Sequence, residues 1–156
     1  MLRNLHIAVL FLTAQLLCLP AGVLAQGAAV SAVQSGHQQV RESLDRMVAA
    51  YESKNSIEFF SQVSEQYTGD YANLQTAVQR EFSRKTALSV RYTVNNITLD
   101  QSGENAFVAV TFTRSWTDVK TAKTKNETKQ TSVVLRREDG IYRLYSQKSP
   151  YLFGSP

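Results

Sequence analysis

The sequence predicts an α+β fold in which three N-terminal helices pack on one face of a strongly curved antiparallel β-sheet. Two observations carry this expectation. Three stretches with helical spacing of apolar residues come first, between His37 and Phe82, and four stretches with strand-like alternation follow, between Leu88 and Gln147. Helices grouped ahead of strands, rather than alternating with them, favour segregated α and β layers. No proline stands between Pro20 and Pro150, so long uninterrupted strands are allowed.

Four segments divide the chain. Residues 1–25 read as an export signal: Arg3 supplies the charged start, Leu5 to Leu19 is almost wholly apolar, and Val23-Leu24-Ala25 precedes Gln26 with small or apolar residues at the cleavage position. The apolar run is shorter than the ~20 residues a spanning helix needs, and Pro20-Ala21-Gly22 interrupts it. Leu17 stands before Cys18 where lipidation asks for a small residue. The expected compartment is therefore periplasmic or secreted, with no membrane span once the signal is gone. Residues 26–36 are small and polar and read as a flexible N-terminal segment, residues 37–149 as the folded domain, and residues 150–156 as a C-terminal tail.

Within the domain, Val40, Leu44, Met47, Val48 and Tyr51 recur at spacings of four, three, one and three, one face of a helix. Asn55 is placed to cap a short second helix holding Ile57, Phe59, Phe60 and Val63, with Glu58 at its third position. Gln66-Tyr67 reads as a short strand or edge segment. Asp70 is placed to cap a third helix with Tyr71, Leu74, Val78 and Phe82 on its apolar stripe, and Phe60 and Phe82 are expected in the core. Leu88, Val90, Tyr92 and Val94 then alternate as a strand, and Asn95-Asn96 shifts the phase to Ile97 and Leu99, the mark of a β-bulge. After the Asp100–Gly103 turn, residues 106–119 form a long strand with Val108, Val110, Phe112, Arg114, Trp116 and Asp118 on one face. Residues 127–137 are its partner, Glu138-Asp139-Gly140 turns, and residues 141–147 close the sheet.

The only cysteine, Cys18, leaves with the signal, so the exported domain must hold itself together without disulfides, which suits a bacterial periplasm. About 130 residues suffice for one core of that kind. Loss of Arg3 takes the formal charge from +4 to +3, a mild excess. Lys120, Lys123, Lys125 and Lys129 sit in a Thr-, Lys- and Asn-rich stretch that reads as a solvated hairpin tip resisting edge pairing. Nucleic-acid binding is excluded as a partner class, for want of a broad basic surface or a recognised motif.

The Tyr51–Phe60 segment, the Asn105-Ala106-Phe107-Val108-Ala109-Val110 strand after a Ser-Gly turn, and the closing Asp139-Gly140-Ile141-Tyr142-Arg143-Leu144 together resemble the nuclear transport factor 2-like (cystatin-like cone) superfamily. The resemblance covers roughly residues 40–148, and position 142 carries Tyr where many members have Trp. It implies a central cavity between helices and sheet, and often a homodimer through the outer face of the sheet. Members range from ketosteroid isomerases, dehydratases and polyketide cyclases to domains without chemistry, so fold alone does not decide function.

Isomerase or dehydratase chemistry in such a cone needs a carboxylate or histidine inside an apolar pocket, where burial brings its pKa toward neutrality. After signal removal one histidine remains, His37, near the start of the first helix and expected to face solvent. Asp118 is the main strand carboxylate candidate, sharing parity with Trp116 and Arg114; the competing reading is a salt-bridged row at a solvated strand end. One histidine and no cysteine cannot build a zinc site, no Asp-rich loop suggests calcium, and no Gly-rich loop cradles a phosphate, so no metal or cofactor is expected. The ligand-pocket candidates are Tyr51, Tyr67, Tyr71, Tyr92, Arg114, Trp116 and Tyr145, since a buried tyrosine hydroxyl needs a partner that a ligand can supply. The aromatic Pro150-Tyr151-Leu152-Phe153-Gly154 tail is either a frayed end or a segment that docks over the cone or onto a partner. Two function classes follow: a non-catalytic module binding a small apolar ligand or a protein partner, and an isomerase- or dehydratase-like enzyme using Asp118 with a tyrosine. A buried carboxylate facing an apolar pocket would support the enzyme, and a filled or polar cone the module.

Overall fold

Three helices precede four strands in the chain, α1 (Gly22–Glu52), α2 (Ser56–Ser61), α3 (Tyr71–Arg84), β1 (Lys85–Leu99), β2 (Asn105–Asp118), β3 (Thr124–Glu138) and β4 (Ile141–Gln147). The computed structural model describes residues 22–154, with side chains from residue 33 onward. The strands form one antiparallel meander in the order β1-β2-β3-β4. Of the predicted signal, residues 1–21 lie outside the described residues, and the remainder opens α1.

The first helix is longer than the sequence suggests. Residues 26–36, expected to be a flexible segment, are helical and continuous with the stripe that begins at Val40. Ala28, Ala29 and Ala32 are strong helix formers and no proline interrupts them, so polarity alone is a poor reason to end a helix there. Gly36 has a packing reason to be small: a Cβ there would meet Leu99 Cδ1 at 2.6 Å. The predicted apolar stripe is buried in full, and it seats α1 on β1 and β4.

At the end of α1 the chain reverses through Lys54, and the Asn55 side chain accepts a hydrogen bond from the Glu58 amide at 3.1 Å, capping α2. Asp70 caps α3 in the same manner, accepting from the Asn73 amide at 2.9 Å. Between these helices the expected short strand at Gln66-Tyr67 is replaced by a single parallel bridge three residues earlier, Val63 to Leu144. Backbone bonds from Ser64 N to Leu144 O and from Leu144 N to Gln62 O hold it.

The third helix is rotated relative to its predicted stripe. Leu74, Ala77, Val78 and Glu81 are its buried residues, whereas Tyr71 is exposed and Phe82 half-buried. Phe60 is likewise half-buried, so the fully enclosed aromatic of α2 is Phe59. The rotation arises because Glu81 has partners inside, so its face turns inward at the expense of the two aromatics.

In the sheet, Val94 pairs with Val110 and Asn96 with Ala109, leaving Asn95 as the extra residue of the predicted bulge. A second irregularity lies between Thr86 and Ser89, where Ala87 takes a positive φ of 48°. Bulges of this kind bend the bulged strand and increase its twist. The concave face gathers Val108, Val110 and Phe112 of β2 with Val133 and Leu135 of β3, and all are buried against the helices.

Candidate functional site

The β2 parity that places Val108, Val110 and Phe112 inside the cone carries on to Arg114, which is only 2 % exposed. A buried guanidinium must find acceptors, because an unpaired charge away from water is costly. Glu127, opposite Arg114 on β3, accepts from Nε at 2.8 Å and also from Nη2. Glu81 of α3 brings Oε2 to 3.8 Å from Nη1, while its Oε1 takes the Lys85 ammonium at 2.7 Å. Lys129 Nζ lies 2.8 Å from the second Glu127 oxygen. Burial pushes the Glu127 carboxyl up, but the hydrogen bonds from Lys129 and Arg114 outweigh it and hold the group below its ordinary value.

The third acceptor on Arg114 comes from the tail. Beyond β4 the chain folds back through Pro150 and inserts Leu152 and Phe153, both 0 % exposed, into the space between helices and sheet. Arg114 Nη1 donates to the Leu152 carbonyl at 3.3 Å. Gln147 grips the next residue at both backbone ends: its Nε2 donates to Phe153 O at 2.8 Å, and Phe153 N donates to its Oε1 at 3.2 Å. The Phe153 ring meets Tyr51 edge-on at 5.2 Å between centroids and Phe59 at 5.1 Å. Burying a Leu and a Phe is worth ~1.5–3 kcal/mol each, and each aromatic pair adds ~0.5–1.5 kcal/mol. Gly154 then takes φ +59°, and a Cβ there would meet Val78 Cγ2 at 2.8 Å, so the tail seats directly against α3. The tail is therefore a plug in the centre of the cone.

That plug separates the pocket candidates. Tyr51 is a core ring whose hydroxyl accepts from the Gly154 amide at 3.4 Å. Tyr67 lies beside the tail in a cleft of about 190 Å³ with Asp70, Gln147 and Tyr151, and burial raises its pKa. Tyr71 stands on the outside, 5.8 Å from the Phe60 ring. Tyr92 donates to Asp45 of α1 at 2.5 Å, and burial followed by this bond to the carboxylate raises its pKa. Tyr145 lies under the Arg136 guanidinium, 4.0 Å from its ring centroid. Trp116, half-buried, carries the Lys85 ammonium 4.2 Å from its ring centroid, away from the plugged centre. The seven candidates thus do not converge on a single cavity. The tail meets Tyr51 and Tyr67, whereas Tyr71 is turned out with its face of α3 and Tyr145 lies under Arg136 at the irregularity of the β3–β4 pairing.

Asp118 stands at the β2–β3 turn and not inside an apolar pocket. It accepts from the Thr121 amide at 2.9 Å, the Lys120 amide at 3.0 Å and Thr121 Oγ1 at 3.0 Å, so it caps the β2–β3 turn. The Thr121 amide is the largest cause of its lowered pKa, the wrong direction for abstracting a proton near neutrality. His37, expected to face solvent, is half-buried on α1.

Two functional side chains escaped the sequence reading. Glu81 lies outside the apolar stripe read for α3; the available signal was Lys85 four residues later, the spacing of a helical ion pair. Gln147 gave no signal, because its role depends on a tail that returns to it through six residues.

No family model matches the chain, and no curated protein matches it. Solved structures do. A conserved protein from Planctomyces limnophilus superposes with a TM-score of 0.65 at 12 % identity, over 73 % of this chain and 94 % of that one. A ketosteroid isomerase-like protein from Erwinia carotovora atroseptica gives 0.56 at 13 % identity, over 69 % and 88 %. A nuclear transport factor 2-like protein of unknown function from Shewanella oneidensis gives 0.55 at 11 % identity, over 71 % and 95 %. Identities this low speak for architecture alone. Helices followed by a curved four-stranded antiparallel sheet, with these neighbours, give the chain the nuclear transport factor 2-like fold.

Proposed function

We propose that this chain is an exported, non-catalytic nuclear transport factor 2-like module that works by binding, with a protein partner or a small apolar ligand as its target. The observation that carries this reading is the filled cone: Leu152 and Phe153 are fully buried in the core between helices and sheet. Glu81 is the buried carboxylate among the described residues, and its ion pairs with Lys85 and Arg114 favour a structural role over proton transfer. A small apolar ligand entering the cone has to displace both tail side chains and forgo their burial, which favours a protein partner on the outside. Self-association through the outer face of the sheet, implied by the resemblance, belongs to the same proposal.

The ketosteroid isomerase-like neighbour defines the enzymatic alternative, and one assay separates the two. The purified mature protein is offered an enolisable ketone and a dehydratable β-hydroxyketone at neutral pH. Absence of turnover, together with no binding of a hydrophobic fluorescent probe until Leu152 and Phe153 are replaced by Ala, supports the module. Turnover that is abolished by Glu81→Gln overturns it. Fractionation and intact-mass measurement test the export half, for which a mature start at Gln26 is expected.

A further inference from the structure

At one end of the molecule, where α3 runs into β1, lies a cleft of about 230 Å³ whose walls are unusually rich in cations: Arg80, Arg84, Lys85 and Lys125, with Trp116 between them. Glu81 and Asp118 are the carboxylates of the same wall. Four positive against two negative groups leave a local excess of two, half of the formal +4 carried by the whole chain. Lys120 and Lys123, on the turn after Asp118, add to the same field.

Both carboxylates of this wall already have partners, and after the Thr121 amide the Lys125 charge is among the causes that lower the Asp118 pKa. Glu81 faces Lys85 and Arg114, and Asp118 accepts from the amides of its own turn. Among the described residues no ion pair is made by Arg84 or Lys125, and both side chains are exposed. Converging cations in a concave wall focus positive potential. The Arg84 fork can give two parallel N–H bonds to a phosphoryl group, and the Lys125 ammonium adds a point charge beside it. Trp116, whose ring already carries the Lys85 ammonium on one side, adds an apolar surface for the organic part of such a ligand.

We propose that this cleft is a binding site for an organic phosphate, its phosphoryl group held by Arg84 and Lys125 and its carbon skeleton laid along Trp116. The site is separate from the cone and goes beyond the reading of the cone as closed.

Trp116 is the chain's single tryptophan, so its fluorescence reports from this wall alone. The test titrates the full mature protein with phenyl phosphate, with phenol as the uncharged match and inorganic phosphate as competitor. The proposal expects a saturable change in Trp116 emission with phenyl phosphate, reversal by inorganic phosphate, and little change with phenol. The double variant Arg84→Gln/Lys125→Gln, whose side chains are exposed and whose fold is checked by its melting temperature, is expected to bind at least tenfold more weakly. Arg91→Gln, on the outer face of β1, is expected to bind as wild type. Phenol binding as tightly as phenyl phosphate, or unchanged affinity in the double variant, would overturn the proposal. If the phosphate belongs to a lipid headgroup, phosphatidylglycerol vesicles will capture the protein and phenyl phosphate will release it; capture that persists in the double variant would also overturn it. These readouts are independent of ketone turnover, so failure here leaves the closed-cone reading standing, and turnover would leave this site standing.

Discussion

A guanidinium buried as deeply as that of Arg114 must be answered nearby, and here Glu127, Glu81 and the Leu152 carbonyl answer it. Replacing Arg114 with Leu strips the tail of one anchor and takes the guanidinium away from Glu81 and Glu127. Removing one partner of a buried pair typically costs ~3–5 kcal/mol, and urea denaturation of Arg114→Leu is expected to show a loss of that order. Phe153→Ala is expected to cost ~3–5 kcal/mol, the range for emptying an enclosed aromatic site, while Phe82→Ala, at a half-buried ring, costs clearly less. Equal losses at the two positions in urea melts would contradict the tail assignment. Acid has a defined direction. The folded carboxyls of Glu127 and Asp100 titrate below their ordinary 4.5 and 3.8, Asp100 at about 2 through the Asn105 side chain first. Stability that depends on them is therefore complete above those ordinary values and is lost as pH falls toward about 2. Denaturation midpoints measured from pH 6 down to pH 2 are expected to decline, and Glu127→Gln to flatten the upper part of that decline.

Among the elements, those with local signals were legible and those defined by tertiary partners were not. The caps at Asn55 and Asp70, the bulge at Asn95 and the span of β4 follow from a few adjacent residues, and the structure has each of them. Asp70→Ala is expected to cost ~1 kcal/mol, read from the urea midpoint, because it removes the bond to the Asn73 amide. The rotation of α3 was not legible. Tyr71, Leu74, Val78 and Phe82 make a sound apolar stripe, yet the inward face is chosen by Arg114, a residue 33 positions further along that turns Glu81 inside. The start of α1 was missed for a different reason: a polar, Ala-rich segment is ambiguous between linker and helix when nothing nearby shows what it packs on. Leu99 at Gly36 is that contact, and it is 63 residues away in the chain.

At the scale of the whole molecule, the order of helices and strands sufficed for the cone, but not for whether the cone was open. Openness is decided by the last few residues, whose apolar side chains serve equally well as a frayed end or as a plug until Gln147, Arg114 and Tyr51 are seen to receive them. The pocket candidates scattered partly for the same reason, since Tyr51 and Tyr67 face the tail, and partly because α3 turns Tyr71 outward. The closed cone is the central claim, and amide hydrogen exchange at Phe153 and Gly154, with ring-to-ring nuclear Overhauser effects, tests it most directly. In the full mature chain these two amides are expected to exchange as slowly as core strand amides, and the Phe153 ring to show cross-peaks with Tyr51 and Phe59. Fast exchange at both amides, with random-coil shifts for Leu152 and Phe153 and no such cross-peaks, would contradict the account.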